Sequence, residues 1–173
     1  QCSSYFLCNV HSAVDMELVA ACARGLVSRH AILRTDMAAP HRPVVSEECD
    51  ADTEIVEYDP AVMTMDEAVR RELEHEFAAD APGRGVGHLR LRLVTDGSRD
   101  RQRSFFIQSP SWCCDHRSMG VLLEDFCIMY RSATPDPSIA LPQVEMQYAD
   151  FRQWQEEDIL RGAAGEELWA FWQ

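Results

Sequence analysis

A period of two in the apolar residues limits the fold of this chain more than any other feature. Within residues 88–95, leucines at 89, 91 and 93 alternate with arginines at 90 and 92, and apolar residues at every second position are typical of a strand with one buried face. Asp96-Gly97 is a frequent turn dipeptide, and residues 104–108 have the apolar content of a returning strand. This pattern predicts an antiparallel hairpin whose three leucines share a buried face: Leu89, Leu91 and Leu93.

Helical signals surround the hairpin. Asp15 is a suitable N-cap for a helix that runs to about Arg29, and Thr64 with Glu67 forms a capping box before a helix that runs to about residue 79. Further helices are predicted over residues 118–131, 147–160 and 163–172. Short strands are predicted over residues 4–11, 44–46 and 54–58, with an acidic turn over 47–52 and a Gly/Pro loop over 80–87. The combination predicts an α+β fold, a mixed sheet flanked by helices in a two-layer α/β sandwich.

Composition excludes several classes of partner. The chain has 173 residues, enough for one domain, and a net charge of −13. Its 16 basic residues, all arginine, are outnumbered by 29 acidic ones, so no large cationic face can form, and we expect neither a nucleic acid nor an anionic membrane as partner. No apolar run approaches the roughly 20 residues of a membrane span. The seven cysteines show no C-x-x-C pair, which favours reduced, buried thiols in a cytoplasmic protein over a metal site or disulfides.

Four segments, in this order, resemble the condensation domains of nonribosomal peptide synthetases. Residues 29–35 read RHAILRT, similar to that family's R-H-x-x-L-R-T motif, and residues 147–155 read QYADFRQWQ, similar to its Q-Y-x-D-[FY]-x-x-W-Q segment. Residues 77–93 resemble the elements before the active-site loop of the family, and residues 118–126 resemble the helix after it. The resemblance covers nearly the whole chain and corresponds to the N-terminal lobe, with the C-terminal lobe absent.

The resemblance implies a chloramphenicol-acetyltransferase-like lobe. In the family two such lobes form a V, and carrier proteins deliver a donor thioester and an acceptor amine to a tunnel between them. The reaction centre there is an H-H-x-x-x-D-G motif. Any cofactor would enter only as phosphopantetheine on a partner carrier protein, because no G-x-G-x-x-G or Walker loop is present and no metal motif is visible.

The chain departs from the family at this motif. With Asp115 aligned to the motif aspartate, the first histidine position is Pro110, the second, catalytic position is Ser111, and the glycine position is His116. A serine hydroxyl is not a base near pH 7, and loss of a general base typically costs about 10²–10⁴ in rate. The resemblance therefore implies a crippled condensation reaction unless another group substitutes.

Each residue of the degenerate motif has a catalytic and a structural interpretation. Ser111 as a nucleophile lacks a G-x-S-x-G context, and His116 as a relocated base lies on the far side of the loop, so we favour a loop serine and a structural histidine. Cys113-Cys114 is expected to be a buried, inert pair. The resemblance implies structural roles for the remaining motif residues, with Asp115 buried against an arginine such as Arg34: Asp115, Arg34 and His30.

Three hypotheses about function remain open at this point. The first is a degenerate lobe that serves as a scaffold or as a docking module for a carrier protein or a neighbouring synthetase domain. The second is a carrier-protein-dependent acyltransferase, forming an amide or ester, whose non-standard site is completed by another lobe or chain. The third is a piece of a longer condensation domain. The Trp-rich C-terminal helices are expected to face a second lobe, a partner or a second copy.

Overall fold

The predicted hairpin is the centre of the fold. In the computed structural model, which describes residues 3–36, 44–74, 86–97, 103–134 and 136–172, strand β5 (Val86–Thr95) pairs antiparallel with β6 (Arg103–Pro110). Leu91 lies opposite Ile107, so the apolar sets of the two strands share one face. Gly97 has a φ of 77°, a conformation that glycine adopts without strain. The predicted hairpin is confirmed.

Two further strands complete a mixed sheet of order β1-β6-β5-β4. Strand β1 (Ser3–Val10) is antiparallel to β6, and β4 (Asp50–Glu57) is parallel to β5. Strand β4 begins four residues before the predicted start at residue 54, and β5 begins within the predicted loop over 80–87. Asp and Glu are poor strand formers, but in the parallel ladder Asp52 lies opposite Arg90 and Glu54 opposite Arg92, so charge pairing compensates.

Two helices cover the leucine face of the sheet. Helix α1 (Met16–Arg29) begins at Asp15, whose carboxylate accepts hydrogen bonds from the amides of Glu17 and Leu18 at 3.0 Å, so the predicted N-cap is confirmed. Helix α3 (His116–Ser132) lies beside it. The core between these helices and the sheet is formed by buried residues of both layers: Val19, Cys22, Leu26, Leu89, Leu91, Ile107, Met119, Leu122 and Met129.

A third helix packs on the opposite face of the sheet. Helix α2 (Met65–Glu74) starts at the predicted capping box, where the Thr64 amide donates to the Glu67 carboxylate at 2.8 Å. Ala68 and Val69 of α2 form a second apolar cluster with Val94 and Phe106. The α+β fold is therefore as predicted, with α2 adding a partial third layer. The predicted end of this helix near residue 79 lies outside the described residues.

Short elements complete the first unit, residues 1–142. A 3₁₀ turn (Ala31–Arg34) leads into β2 (Thr35–Asp36), which pairs antiparallel with β3 (Val44–Val45). Helix α4 (Pro137–Ala140) lies near the end of this unit.

Residues 143–173 form a second unit of helices. Helix α5 (Tyr148–Trp154) continues as a π-helical segment (Gln155–Leu160), and α6 (Ala163–Trp172) follows, close to the predicted bounds. No residue of α5 is buried, and large apolar side chains of α6 are exposed. The prediction that residues 1–173 form a single domain stays a prediction.

Candidate functional site

The loop between β6 and α3 holds the residues that the resemblance aligns with the H-H-x-x-x-D-G motif, and hydrogen bonds at both ends fix its course. Pro110, at the end of β6, is fully buried, and its carbonyl oxygen accepts hydrogen bonds from the amides of Cys113 and Cys114 at 3.1 Å. At the other end Asp115 is the N-cap of α3. The loop is therefore a tight turn followed directly by a capped helix.

Asp115 shapes the start of α3 from an exposed position. Its carboxylate accepts hydrogen bonds from the amide and the hydroxyl of Ser118, both at 2.7 Å, and these two bonds hold the pKa of Asp115 below its usual value. The expectation that Asp115 is buried and paired with Arg34 is wrong. An N-cap side chain lies at the outer end of the helix, where water solvates it, and Arg34 instead donates to the carbonyl oxygen of Ser46.

Ser111 and His116 are not joined into a catalytic pair. Both residues are exposed, Ser111 in the turn and His116 as the first residue of α3. Within the described ranges no side chain forms a hydrogen bond with Ser111, so none of these residues is placed as a base for its hydroxyl. A nucleophile requires such a base within about 2.6–3.2 Å.

The adjacent cysteines lie in an environment that suppresses their reactivity. Burial is the main cause that raises the pKa of the Cys113 thiol to about 11, and burial followed by the charge of Cys113 raises that of Cys114 to about 12. The Cys113 sulfur contacts the Ser109 hydroxyl at 3.2 Å and the Pro110 carbonyl at 3.3 Å. The prediction of inert thiols is supported, because the thiolate is the reactive form and is scarce near pH 7.

His88 is a residue at the loop that sequence reasoning missed. Arg90 lies opposite Gln108 in the hairpin, and the same register brings His88 next to Pro110. The His88 ring meets the Trp112 ring edge-on, with centroids 4.5 Å apart at 74°, and its Nε2 lies 2.9 Å from the carbonyl oxygen of Thr35. The signal in the sequence was the hairpin register, which pairs residue 88 with the motif.

The R-H-x-x-L-R-T segment has a structural role centred on a residue that the sequence did not single out. Arg29 Nε and His30 Nε2 lie 2.9 and 2.8 Å from the same oxygen of Asp125 on α3, and Arg29 also donates to the Pro142 carbonyl at 2.6 Å. All three side chains are largely buried. These contacts join the end of α1 to α3, which agrees with the structural role expected of His30.

A second buried polar group lies on the α2 face of the sheet. Both arginines of the leucine–arginine alternation are buried, and the Asp52 carboxylate pairs with Arg90 Nε at 3.0 Å and Arg92 at 2.7 Å. Burial alone would raise the pKa of Asp52, but the hydrogen bonds and charges of Arg92 and Arg90 outweigh it and hold the pKa below its usual value. Arg92 also lies 3.5 Å from Glu72 of α2, so the network holds α2 on the sheet.

Neither a metal site nor a membrane-spanning helix is found among the described residues. In the described ranges, no three His, Cys, Asp or Glu side chains come together as ligands for a metal ion. Among the helices of the same residues, none combines the length and the apolar character that a membrane span requires.

Comparison with known proteins identifies the fold. No protein-family model matches the chain, and no curated protein matches it in sequence. Solved structures match, however. A crystal structure of the nonribosomal peptide synthetase FmoA3 has 24% identity and a TM-score of 0.69, covering 99% of this chain and 18% of that one.

The EpoB cyclization-docking bidomain from Sorangium cellulosum has 20% identity and a TM-score of 0.73, covering 98% of this chain and 33% of that one. A complex of the X-domain and OxyB from teicoplanin biosynthesis has 18% identity and a TM-score of 0.70, covering 98% of this chain and 37% of that one. This chain therefore spans 37% or less of each of these structures, and it has the fold of a condensation-domain-like lobe.

Proposed function

We propose that this condensation-domain-like lobe is a docking module of a nonribosomal peptide synthetase assembly line that lacks amide-forming chemistry. Its partner is a carrier protein bearing phosphopantetheine, or a neighbouring synthetase domain. The observation that carries the proposal is the loop after β6. Asp115 caps α3 at 2.7 Å, and Ser111, which the resemblance aligns with the catalytic histidine, has no base bonded to it in the described part of the chain.

The chemistry available at the loop supports the absence of catalysis. Deprotonation of an acceptor amine needs a group with a pKa near the working pH. A serine hydroxyl does not provide one, and the thiols of Cys113 and Cys114, with pKa values of about 11 and 12, stay protonated. No hydrogen bond joins His116 to Ser111 among the described residues.

The comparison with the X-domain supports a docking role. That structure is a complex of the X-domain with OxyB, so a lobe of this fold occurs there in a complex with a partner protein. Docking needs a complementary surface and no base, and a lobe can therefore keep this role when the motif histidines are lost.

The C-terminal unit offers a second surface to a neighbouring domain, a second lobe or a second copy. Trp169, Phe171 and Trp172 are 67, 79 and 78% exposed, an unusual density of aromatic surface in a short segment. Each copy carries a net charge of −13 over the whole chain, so two copies repel each other, which disfavours a homodimer relative to a partner of opposite charge.

The test is a titration of the chain with the carrier proteins of its own assembly line, in the holo and apo forms, alongside an assay for amide or ester product. We expect binding of the holo carrier and no product. Product formation would establish the alternative, an acyltransferase with a non-standard site completed by another lobe or chain. Ser111→Ala and His116→Ala variants would then show whether either residue takes part. The absence of binding would overturn the role as a docking module for a carrier protein.

A further inference from the structure

Strand β1 (Ser3–Val10) lies at one edge of the sheet. It has β6 on one side and, among the described strands, no neighbour on the other. Apart from its ladder with β6, no backbone hydrogen bond reaches β1 from the part of the chain that the structure describes. Such an edge presents a row of N–H and C=O groups, and the ligand that matches this row is another extended polypeptide backbone.

The two edges of the sheet differ in how well they are protected from an added strand. The opposite edge strand, β4, carries four acidic residues: Asp50, Asp52, Glu54 and Glu57. Strand β1 has the sequence SSYFLCNV, which contains neither a charged residue nor a proline. Charged side chains and proline are the usual means by which proteins prevent an edge strand from pairing. The β4 edge is therefore protected, whereas β1 is open to a further strand.

Two exposed apolar side chains accompany the open edge. Tyr5 and Leu7 lie opposite Gln108 and Phe106 of β6, so they stand on the face of the sheet that α2 covers. Helix α2 buries Phe106 completely, but Tyr5 and Leu7 remain 52 and 42% exposed. Because alternate side chains of neighbouring strands meet on one face, an added strand with apolar residues at every second position would cover both.

The charge beside β1 favours a basic segment. The side-chain amide of Gln108 donates to the Ser3 hydroxyl at 2.8 Å and to the Leu73 carbonyl at 3.0 Å, which brings α2 close to the start of β1. Glu74, the next residue of α2, is exposed, and the whole chain has a net charge of −13. A lysine or arginine at the end of the added strand complements this charge, whereas a second copy of the chain would bring more acid.

We infer that β1 is a docking edge for an extended segment of another protein, with apolar residues at alternate positions and basic residues at its ends. The segment adds to the four-stranded sheet beside β1. Its backbone hydrogen bonds supply affinity, and contacts with Tyr5 and Leu7 select the apolar side chains. This inference goes beyond the proposed function, because it requires neither a carrier protein nor the loop after β6.

The experiment uses a synthetic peptide as the probe. The peptide has 8 residues, the length of β1, alternates valine with threonine, and carries a lysine at each capped end. The control peptide has the same charge but has proline at its two central positions, so it cannot form a continuous ladder. We expect the probe to bind the wild-type chain and the control to bind at least about tenfold more weakly. No binding of the probe, or equal binding of the two peptides, would overturn the inference.

Amide hydrogen exchange locates the bound peptide. The probe should slow exchange in the fragment that contains Ser3–Val10 and leave exchange in Asp50–Glu57 unchanged, because only the first of these strands gains hydrogen bonds. Protection of β4 in place of β1 would overturn the assignment. Protection of β1 that rises with protein concentration in the absence of peptide would assign the edge to a second copy, and would overturn the assignment to another protein.

Matched variants test the edge itself. Leu7→Lys places a charge on β1 that repels the lysines of the probe, and should weaken binding at least about tenfold. Ile55→Lys makes the same change on β4, at a side chain that is 48% exposed, and should leave the dissociation constant within about twofold. Leu7→Thr, which is uncharged and suited to a strand, should weaken binding about threefold at an unchanged thermal midpoint.

Wild-type affinity in both Leu7 variants would overturn the role of β1. Because Leu7→Thr adds no charge, it decides the question even where Leu7→Lys impairs folding. No carrier protein is present in any of these measurements, so failure of this inference leaves the proposed function standing, and failure of carrier binding leaves this inference standing.

Discussion

Nε2 of His30 lies 2.8 Å from a carboxylate oxygen of Asp125, a residue 95 positions later in the chain. The same oxygen accepts from Arg29 Nε at 2.9 Å, so one buried carboxylate joins the end of α1 to α3. The family-like R-H pair is thus explained by a fold contact, independent of any reaction.

Removal of the Asp125 carboxylate should lower the free energy of unfolding. Asp125→Ala leaves Arg29 and His30 buried without their acceptor, and breaking a buried pair typically costs about 3–5 kcal/mol. The measurement is the free energy of unfolding from urea titration. Glu124→Ala, an exposed neighbour on the same helix, is the control and should change it by less than about 0.5 kcal/mol. Equal effects of the two substitutions would contradict this account.

The Asp52 network should make stability depend on acid pH. The folded-state pKa of Asp52 is lowered by Arg92 and Arg90 against the effect of burial, so its contribution is fully present above the unfolded-state value of about 3.9 and is lost as pH falls through the folded pKa. Asp52→Asn should therefore destabilise the protein by about 1–3 kcal/mol at pH 6, and the difference from wild type should shrink below about pH 4. Urea midpoints against pH measure this. A difference that stays constant down to pH 2.5 would contradict it, and Asp66→Asn, on the exposed surface of α2, is the control.

Two glycines should respond in opposite directions to alanine. Gly120 is an exposed residue of helix α3, and a Cβ added there would have no atom within 4 Å. Gly120→Ala should therefore raise the free energy of unfolding by about 0.5–1 kcal/mol. At Gly162 the added Cβ would collide with the carbonyl oxygen of Asp158 at the end of the π-helical segment, so Gly162→Ala should reduce the helical signal of the C-terminal unit. Circular dichroism and thermal midpoints distinguish the two substitutions. A gain of stability at both positions would contradict the close approach between the backbone of Gly162 and the carbonyl oxygen of Asp158.

The loop thiols should react slowly with alkylating agents. With pKa values of about 11 and 12, Cys113 and Cys114 have little thiolate at pH 8 compared with an ordinary thiol of pKa about 8.5. We expect iodoacetamide to modify them at least about 100-fold more slowly in the folded protein than in the urea-unfolded chain, as followed by mass spectrometry of peptides. Modification at similar rates in both states would show that the thiols are not held as described.

The sequence predicted the fold more completely than the site. Local patterns predicted the hairpin, the N-cap at Asp15 and the capping box at Thr64. Such patterns are reliable because residues close in the sequence determine the local structure. The early start of β4 was not predictable in the same way, since Asp50 and Asp52 become strand residues only because β5 lies beside them.

The contacts that define the site join residues far apart in the chain. Asp125 with Arg29 and His88 with Trp112 depend on how α3 and the hairpin pack, which periodicity does not specify. For Asp115 the expectation of a distant contact was wrong, and the local sequence signal was the correct one. Its alignment with the motif aspartate suggested a buried ion pair, whereas its local N-cap geometry, readable from Ser118 three residues later, places it in solvent. The inert cysteine pair was predictable because adjacent cysteines without partners are usually buried thiols.

The central claim is that the lobe binds a carrier protein without acting on its thioester. A single-turnover assay tests it most directly: acyl-loaded donor carrier, acceptor carrier and an excess of this protein are mixed, and the intact masses of both carriers are followed while binding is measured on the same sample. We predict that the donor carrier is bound and keeps its acyl group at the rate of loss seen without the protein. Transfer of the acyl group to the acceptor carrier above that rate would contradict the account, because it would require a base that the loop at Ser111 does not supply.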